Sequence, residues 1–362
     1  MVIGFLDGSY RQDPFPQVCR ATVRFPGGEE GAAMTHAVDL HAHALVGRAE
    51  GLVADEPALA RSRVAEARAA GAESSAVNRE QIAAIVPALT DPALRLAAMD
   101  RAGLDVQVVS PMPIHHYWAG APLAERYART VNDGILTHCA AAPDRLLGLG
   151  TVPLQHPALA VSELTRAVAD GLRGVEVSTY VDGRELSDPS LEPFWARAEE
   201  LGAIVFVHPW GCTLGERLDL AYLSNTIGNP LETTLALSRL IFSGLLDRRP
   251  GLRIVAAHGG GYLPVYSSRA DHAWEARRDA RTCASRPSEY LRRFWYDSLV
   301  YTGEALDRLV AAVGADRVVL GTDHPFDMGV TDPLDRLALA SLDADSADAI
   351  RGGNATALLG MK

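Results

Sequence analysis

Eight short apolar runs of strand character recur along the chain, separated by stretches of helical spacing. The runs are Ala37 to His41, Val106 to Ser110, Leu146 to Val152, Gly174 to Ser178, Ala203 to His208, Arg253 to His258, Phe294 to Val300 and Val318 to Asp323. Between them, Pro157 to Ala169, Leu191 to Leu201 and Glu304 to Val313 repeat apolar residues at helical intervals. The first of these opens on a proline, which suits a first helical turn because that position needs no N–H partner. Strands alternating with helices imply βαβ units and a parallel sheet. Eight of them predict an α/β fold, a closed (β/α)8 TIM barrel, although periodicity alone also accommodates an open doubly wound sheet.

Two segments break the alternation. Residues 1–33 hold Pro14, Pro16, Pro26 and the pair Gly27-Gly28 with no sustained period. They are expected to be a flexible, non-catalytic extension, and Met34 would serve equally well as a start; the barrel domain is expected over residues 34–362. The second segment runs from Val46 to about Leu89, between the first two strands. It is far longer than a usual βα loop of roughly 2–6 residues. Part of it, Glu56 to Ala70, reads as a helix ending near Gly71. On a barrel, an insertion there overhangs the C-terminal face where active sites form, so a small cap or arm is expected.

Composition narrows the partners. A chain of 362 residues with 48% hydrophobic and 22% charged content is ordinary for a globular enzyme. Its net charge of -11 argues against nucleic acid or an anionic membrane as the main partner. A small anionic substrate stays open, because a local pocket can be positive on an acidic protein. Cys19, Cys139, Cys212 and Cys283 are far apart and form no C-x-x-C pair, which fits reduced thiols in a cytoplasmic protein. No apolar stretch reaches the ~20 residues of a membrane span.

The chemistry lies where polar residues end the strands. His41 and His43 close the first run as His-x-His; His208 ends the fifth, His258 the sixth and Asp323 the eighth. Residues two apart on a strand share a face, so His41 and His43 can both aim at the barrel axis. A lone strand-end histidine is more often a satisfied core or loop residue, but five such residues at one mouth form a set. His41, His43, His208 and Asp323 are the expected ligands of one divalent metal ion. Imidazoles with a carboxylate suit zinc, iron or manganese better than calcium or magnesium. Four such ligands leave room for a water whose pKa the ion would lower toward ~7. His258 is the expected general acid/base beside it.

Weaker candidates surround this set. Gly259-Gly260-Gly261 lacks the spacing and lysine of a phosphate loop and reads as backbone that must approach the site closely. His115, His116, Tyr117 and Trp118 follow the second strand and could line the pocket or be plain loop. His324 should point away from the ligand beside it. Asp297 could support the site or be a satisfied buried group, and no partner marks Cys212 as a nucleophile.

At these residues the sequence resembles the amidohydrolase superfamily, in its decarboxylase branch. The likeness runs from Asp39-Leu40-His41-Ala42-His43 and, more loosely, Tyr117-Trp118-Ala119, through Phe206-Val207-His208-Pro209-Trp210 and Glu232-Thr233-Thr234. It continues with Ala257-His258-Gly259-Gly260-Gly261, Gly321-Thr322-Asp323-His324-Pro325-Phe326 and Gly353-Asn354-Ala355. The resemblance implies a (β/α)8 barrel holding one metal ion, usually zinc, with manganese an alternative, and often a homodimer. It puts the ligands on His41, His43, His208 and Asp323, and catalysis on His258 with Asp323. It also places on Arg269 an arginine that binds substrate carboxylate across the dimer, a task suited to the bidentate guanidinium. Trp118 and Trp210 are candidate substrate contacts. A second carboxylate-binding arginine of this pattern falls on Ala83, with Arg61, Arg63 and Arg79 nearby but out of register. The implied activity is non-oxidative decarboxylation of a small unsaturated or aromatic carboxylic acid. The alternative is a hydrolase or hydratase on the same site.

Overall fold

The computed structural model describes residues 36–361, so the expected extension over residues 1–33 lies outside the described residues. Eight parallel strands form the core of the fold. They are β1 (Val38–Ala44), β2 (Val106–Pro111), β3 (Leu146–Gly148, resuming as Gly150–Thr151), β4 (Gly174–Val177), β5 (Ile204–Val207), β6 (Arg253–Ala256), β7 (Phe294–Asp297) and β8 (Val318–Val319). Each pairs with its neighbour in sequence. The ring closes where Ala42 bridges His324 in parallel and Leu40 N–H donates to the Leu320 carbonyl at 2.9 Å. The fold is therefore the closed barrel, not the open sheet.

Several strands are shorter than their apolar runs. At Leu149 the third breaks off its ladder, and the Asn132 side chain takes over by accepting from Thr151 N–H at 2.7 Å and donating to its carbonyl at 3.0 Å. The seventh ends at Asp297 and the eighth at Val319, because both chains turn to present polar residues to the mouth.

One irregularity positions the site. Between Asp39 and Ala42 the register of β1 against β2 slips, so β1 carries one residue more than its partner. Val38 and Leu40 pack inside the barrel with Val106, Val108, Phe206 and Val255. A regular strand would then send His41 and His43 outward. The bulge resets the parity, and both histidines turn inward above that apolar layer. The helix Asn354–Leu359 covers the opposite end, packing Ala355, Leu358 and Leu359 against the same interior cluster.

The segment after β1 is helical: α1 (Gly47–Val53), α2 (Pro57–Ala70), α3 (Ala72–Thr90) and then α4 (Pro92–Ala102). The corner between α2 and α3 is Gly71, at φ 79°, and any side chain there would run into the Asp219 carbonyl on the loop after β5. Since β1 and β5 are four strands apart in a ring of eight, the α2–α3 hairpin spans the C-terminal mouth. No single helix among the described residues is long and apolar enough to cross a membrane.

Candidate metal centre

His41, His43, His208 and Asp323 meet at the mouth, all buried, with one ligand atom from each lying within 4.8 Å of the others. His41 Nε2 stands 3.1 Å from His43 Nε2, and both face Asp323 Oδ1, at 3.4 and 3.2 Å. The His208 ring lies edge-on to those of His41 and His43, with neither of its nitrogens hydrogen-bonded among the described residues.

The outer nitrogens decide what can lie between them. His43 Nδ1 is 2.9 Å from the Pro111 carbonyl, which can only accept, so Nδ1 carries the hydrogen. His41 Nδ1 is 2.6 Å from Asp297 Oδ2. That carboxylate also accepts from the amides of His258 and Gly259 at 2.8 Å each and of Leu299 at 3.2 Å, so it is the acceptor here too. Both Nε2 atoms are then left with lone pairs facing each other and a carboxylate. Only a positive charge relieves that arrangement, either a proton or a metal ion. Three imidazoles and a carboxylate, two of them held from behind, fit a divalent cation of the zinc or manganese type.

The titration behaviour agrees. Burial works against the charged form of His41, but Asp323 and Asp297 outweigh it and hold the imidazole up at about 10. Burial and the neighbouring imidazoles push His208 well down, and burial pushes His43 down. Burial opposes ionisation of Asp323, yet His41, His258 and His43 keep its carboxyl well below the ordinary range. A buried carboxylate among imidazoles is the electrostatic environment of an ion site.

The backbone that carries these groups is itself pinned. Asp39 Oδ1 accepts from the amides of His41 and Thr322 at 3.0 Å each, and Oδ2 from Thr322 Oγ1 at 2.6 Å and Gln107 Nε2 at 2.7 Å. Arg95, fully buried on α4, donates to Gln107 and to the His43 carbonyl. Asp323 has φ 57° and His258 φ 54°, left-handed conformations that cost non-glycine residues energy and recur at functional sites. After His258, the three glycines also have φ near +60° to +80°. Side chains there would strike Val300, Tyr296 and Pro230, so close backbone approach, not phosphate binding, accounts for them.

The other sequence candidates divide. His258 Nε2 lies 3.8 Å from Asp323 Oδ2, beside the cluster. Trp210 follows His208 and is exposed, on a loop tied down where Glu232 Oε1 accepts from Thr213 N–H and Oγ1 at 2.7 Å each. Trp118 packs against the outer core beneath the helices and beside His116, with its indole N–H buried and unpartnered among the described residues. His115 faces Glu176, whereas His116 turns away toward Glu50. Ala83 and Arg269 are both exposed, and Arg269 makes no ion pair among the described residues. Burial pushes the Cys212 thiol up to about 11, away from the thiolate form. His324 contributes its carbonyl, which accepts from the His43 amide at 2.8 Å. Glu176, not among the sequence candidates, is fully buried near the end of β4 with Oε2 3.5 Å from His43 Nδ1. A lone glutamate in the apolar run Gly174-Val175-Glu176-Val177 is the signal that could have found it.

A parallel barrel with imidazoles and a carboxylate gathered at its C-terminal mouth defines a class of metal-dependent TIM-barrel enzymes. Comparison with known proteins narrows it: the chain belongs to the amidohydrolase family, whose model matches residues 38–361. Over 276 residues it is 37% identical to 2-amino-3-carboxymuconate-6-semialdehyde decarboxylase of Dictyostelium discoideum, covering 75% of this chain and 77% of that one. It is 31% identical over 253 residues to the gamma-resorcylate decarboxylase of Rhodococcus jostii, covering 65% and 77%. Among solved structures, 5-carboxyvanillate decarboxylase from Sphingomonas paucimobilis superposes with a TM-score of 0.79 at 25% identity, covering 91% of this chain and all of that one.

Proposed function

We propose that this protein is a metal-dependent decarboxylase that removes carbon dioxide from a small unsaturated or aromatic carboxylic acid without an organic cofactor. The observation that carries this reading is the facing pair His41 Nε2 and His43 Nε2, 3.1 Å apart with Asp323 between them and His258 alongside. The named activities of the relatives supply the reaction class. His41, His43, His208 and Asp323 would hold the ion, zinc being our assignment and manganese the alternative. When bound, the ion supplies Lewis acidity that polarises a carboxylate or neighbouring oxygen of the substrate.

The chain's own residues manage the proton. Loss of carbon dioxide leaves an electron pair on carbon, and one proton must reach it to complete the product. His258, next to the Asp323 carboxylate and with Nδ1 free of hydrogen bonds among the described residues, is placed to hold and deliver that proton. The Asp297 carboxylate fixes the height of the His258 turn by accepting from the His258 amide. Trp210 offers an exposed aromatic face for the substrate, and Trp118 stays a more distant candidate.

A substrate carboxylate needs a further countercharge. Among the described residues no arginine forms an ion pair with Asp323, Asp297 or Glu176. Arg269 lies on the exposed helix Ser268–Ala276, which follows the exposed Tyr262, Val265 and Tyr266. Such an apolar patch suits a second copy of the chain, and in a homodimer Arg269 would reach the neighbour's site. We place the enzyme in the cytoplasm, consistent with the free thiols of Cys139, Cys212 and Cys283.

The test is direct. Protein loaded with zinc or manganese is incubated with a panel of such acids, and carbon dioxide is measured. Release from at least one acid is expected. A product that gains water without losing carbon dioxide would assign the site to a hydrolase or hydratase instead.

A further inference from the structure

Two of the clustered imidazoles have a buried carboxylate behind them, and the two carboxylates differ in how they are held. Behind His41, Asp297 accepts four hydrogen bonds, one from the ring and three from backbone amides. Behind His43, Glu176 Oε2 stands 3.5 Å from Nδ1, and Glu176 Oε1 stands 3.5 Å from His115 Nε2. Both contacts are longer than a hydrogen bond. Glu176 is fully buried, and neither of its oxygens has a hydrogen-bond partner among the described residues. Ser110 Oγ and His115 Nε2 are turned to the same carboxyl, Ser110 close enough to favour its charged form, but neither completes a well-formed hydrogen bond there.

Leaving a buried carboxyl unpaired costs stability, and the cost calls for a reason. The geometry supplies one. His43 Nδ1–H now donates to the Pro111 carbonyl at 2.9 Å. A dication on the opposite nitrogen of the ring makes that hydrogen more acidic, and a carboxyl is a stronger acceptor than an amide carbonyl. Glu176 is the carboxyl within reach. His115, braced by Thr151 Oγ1 at 3.1 Å and stacked on Tyr117, stands on the far side of the glutamate.

We propose that Glu176 is a positioning residue of the metal centre: through His43 Nδ1 it orients the ring and strengthens its hold on the ion. This rests on the metal reading of the site, not on decarboxylation.

The test uses the full chain with Glu176→Gln and Glu176→Met. Three quantities are compared with wild type: the Kd for Mn2+ and Zn2+, the visible spectrum of Co2+-loaded protein, and Tm without metal. The expected result is a Kd weakened about 10–100-fold, an altered Co2+ spectrum, and a metal-free Tm no lower than wild type. A carboxyl that merely fills space predicts the reverse, a lower Tm with unchanged Kd and spectrum, and that result would overturn the proposal. Should the methionine variant fail to fold, the near-isosteric glutamine variant decides. Wild-type protein that binds no divalent ion would overturn the metal reading and this inference together. Ion binding with unchanged variants would overturn only the role of Glu176.

Discussion

His41 Nε2 and His43 Nε2 face each other across 3.1 Å while the other nitrogen of each ring is already donating, to Asp297 and to Pro111. One positive charge must sit in that space, and a proton and a metal ion compete for it. His41 has its imidazole held up at about 10 by Asp323 and Asp297, against the opposing effect of burial. Below that value the proton has to leave before an ion can bind, so metal affinity should rise roughly tenfold per pH unit as pH increases toward 10. Metal-free stability should move the other way. A raised imidazole pKa contributes stability that is fully present below the unfolded value near ~6.5. That contribution is lost as pH climbs through about 10. Competition titrations with a chelator, and Tm of the stripped protein across pH 6 to 10, check both signs. A Kd that does not vary with pH would show that His41 carries no competing proton.

Removing the ion should also be visible at fixed pH. Ligand present at roughly 100 times its Kd stabilises a protein by about 2.7 kcal/mol. Stripping with a chelator at neutral pH should lower Tm accordingly and abolish turnover, and re-adding zinc or manganese should restore both. Identical Tm before and after stripping would argue that no ion was bound.

Asp297 links His41 to the His258 turn, so its removal should damage two functions together. Asp297→Ala leaves a buried imidazole and three amides without their acceptor, at a cost of about 3–5 kcal/mol. Asp297→Asn keeps one carbonyl and should fold, but should weaken metal binding by about 10–100-fold. Calorimetric Tm and metal titration separate the two effects. An asparagine variant with wild-type metal affinity would mean that the charge of Asp297 is not needed to orient His41.

The Trp210 loop gives a test of substrate contact apart from metal chemistry. Glu232 holds that loop through two hydrogen bonds to Thr213, and Glu232→Ala removes both. The loss of a buried acceptor of this kind amounts to about 1–3 kcal/mol, and KM should rise roughly tenfold or more. Metal content and the Co2+ spectrum should not change. A fall in kcat with KM unchanged would place the loop in the chemical step instead.

The four clustered residues were legible in the sequence as candidate ligands because each ends an apolar run, where a buried histidine or aspartate has no ordinary reason to stand. The barrel was legible from the eight runs themselves. The bulge after Asp39 was not, since Val38, Leu40, Ala42 and Ala44 alternate without a break with Asp39, His41 and His43, and only pairing with β2 shows the slip. Nor could periodicity show that Asp323 leaves the eighth strand for a left-handed conformation, or that Gly71 meets Asp219 across the mouth. Those depend on contacts between residues far apart in the chain. Glu176 escaped because a single charge inside a short valine-rich run is easily read as a strand-edge residue.

A role for Arg269 at the site depends on a second subunit, and subunit mixing can isolate it. His258→Ala should lower turnover by about two to four orders of magnitude while leaving metal bound. Arg269→Ala should raise KM for a carboxylate substrate and leave the fold intact, since the guanidinium is exposed and makes no ion pair among the described residues. If the arginine serves the neighbour's site, a mixed dimer of the two variants holds one site with both residues intact. Random mixing in equal amounts should then recover about a quarter of wild-type activity. If Arg269 acts within its own subunit, or the chain works as a monomer, the mixture shows no more than the mean activity of its parts, all read at substrate well below KM. Light scattering on the same samples gives the assembly state, so loss of dimer and loss of the shared arginine can be told apart.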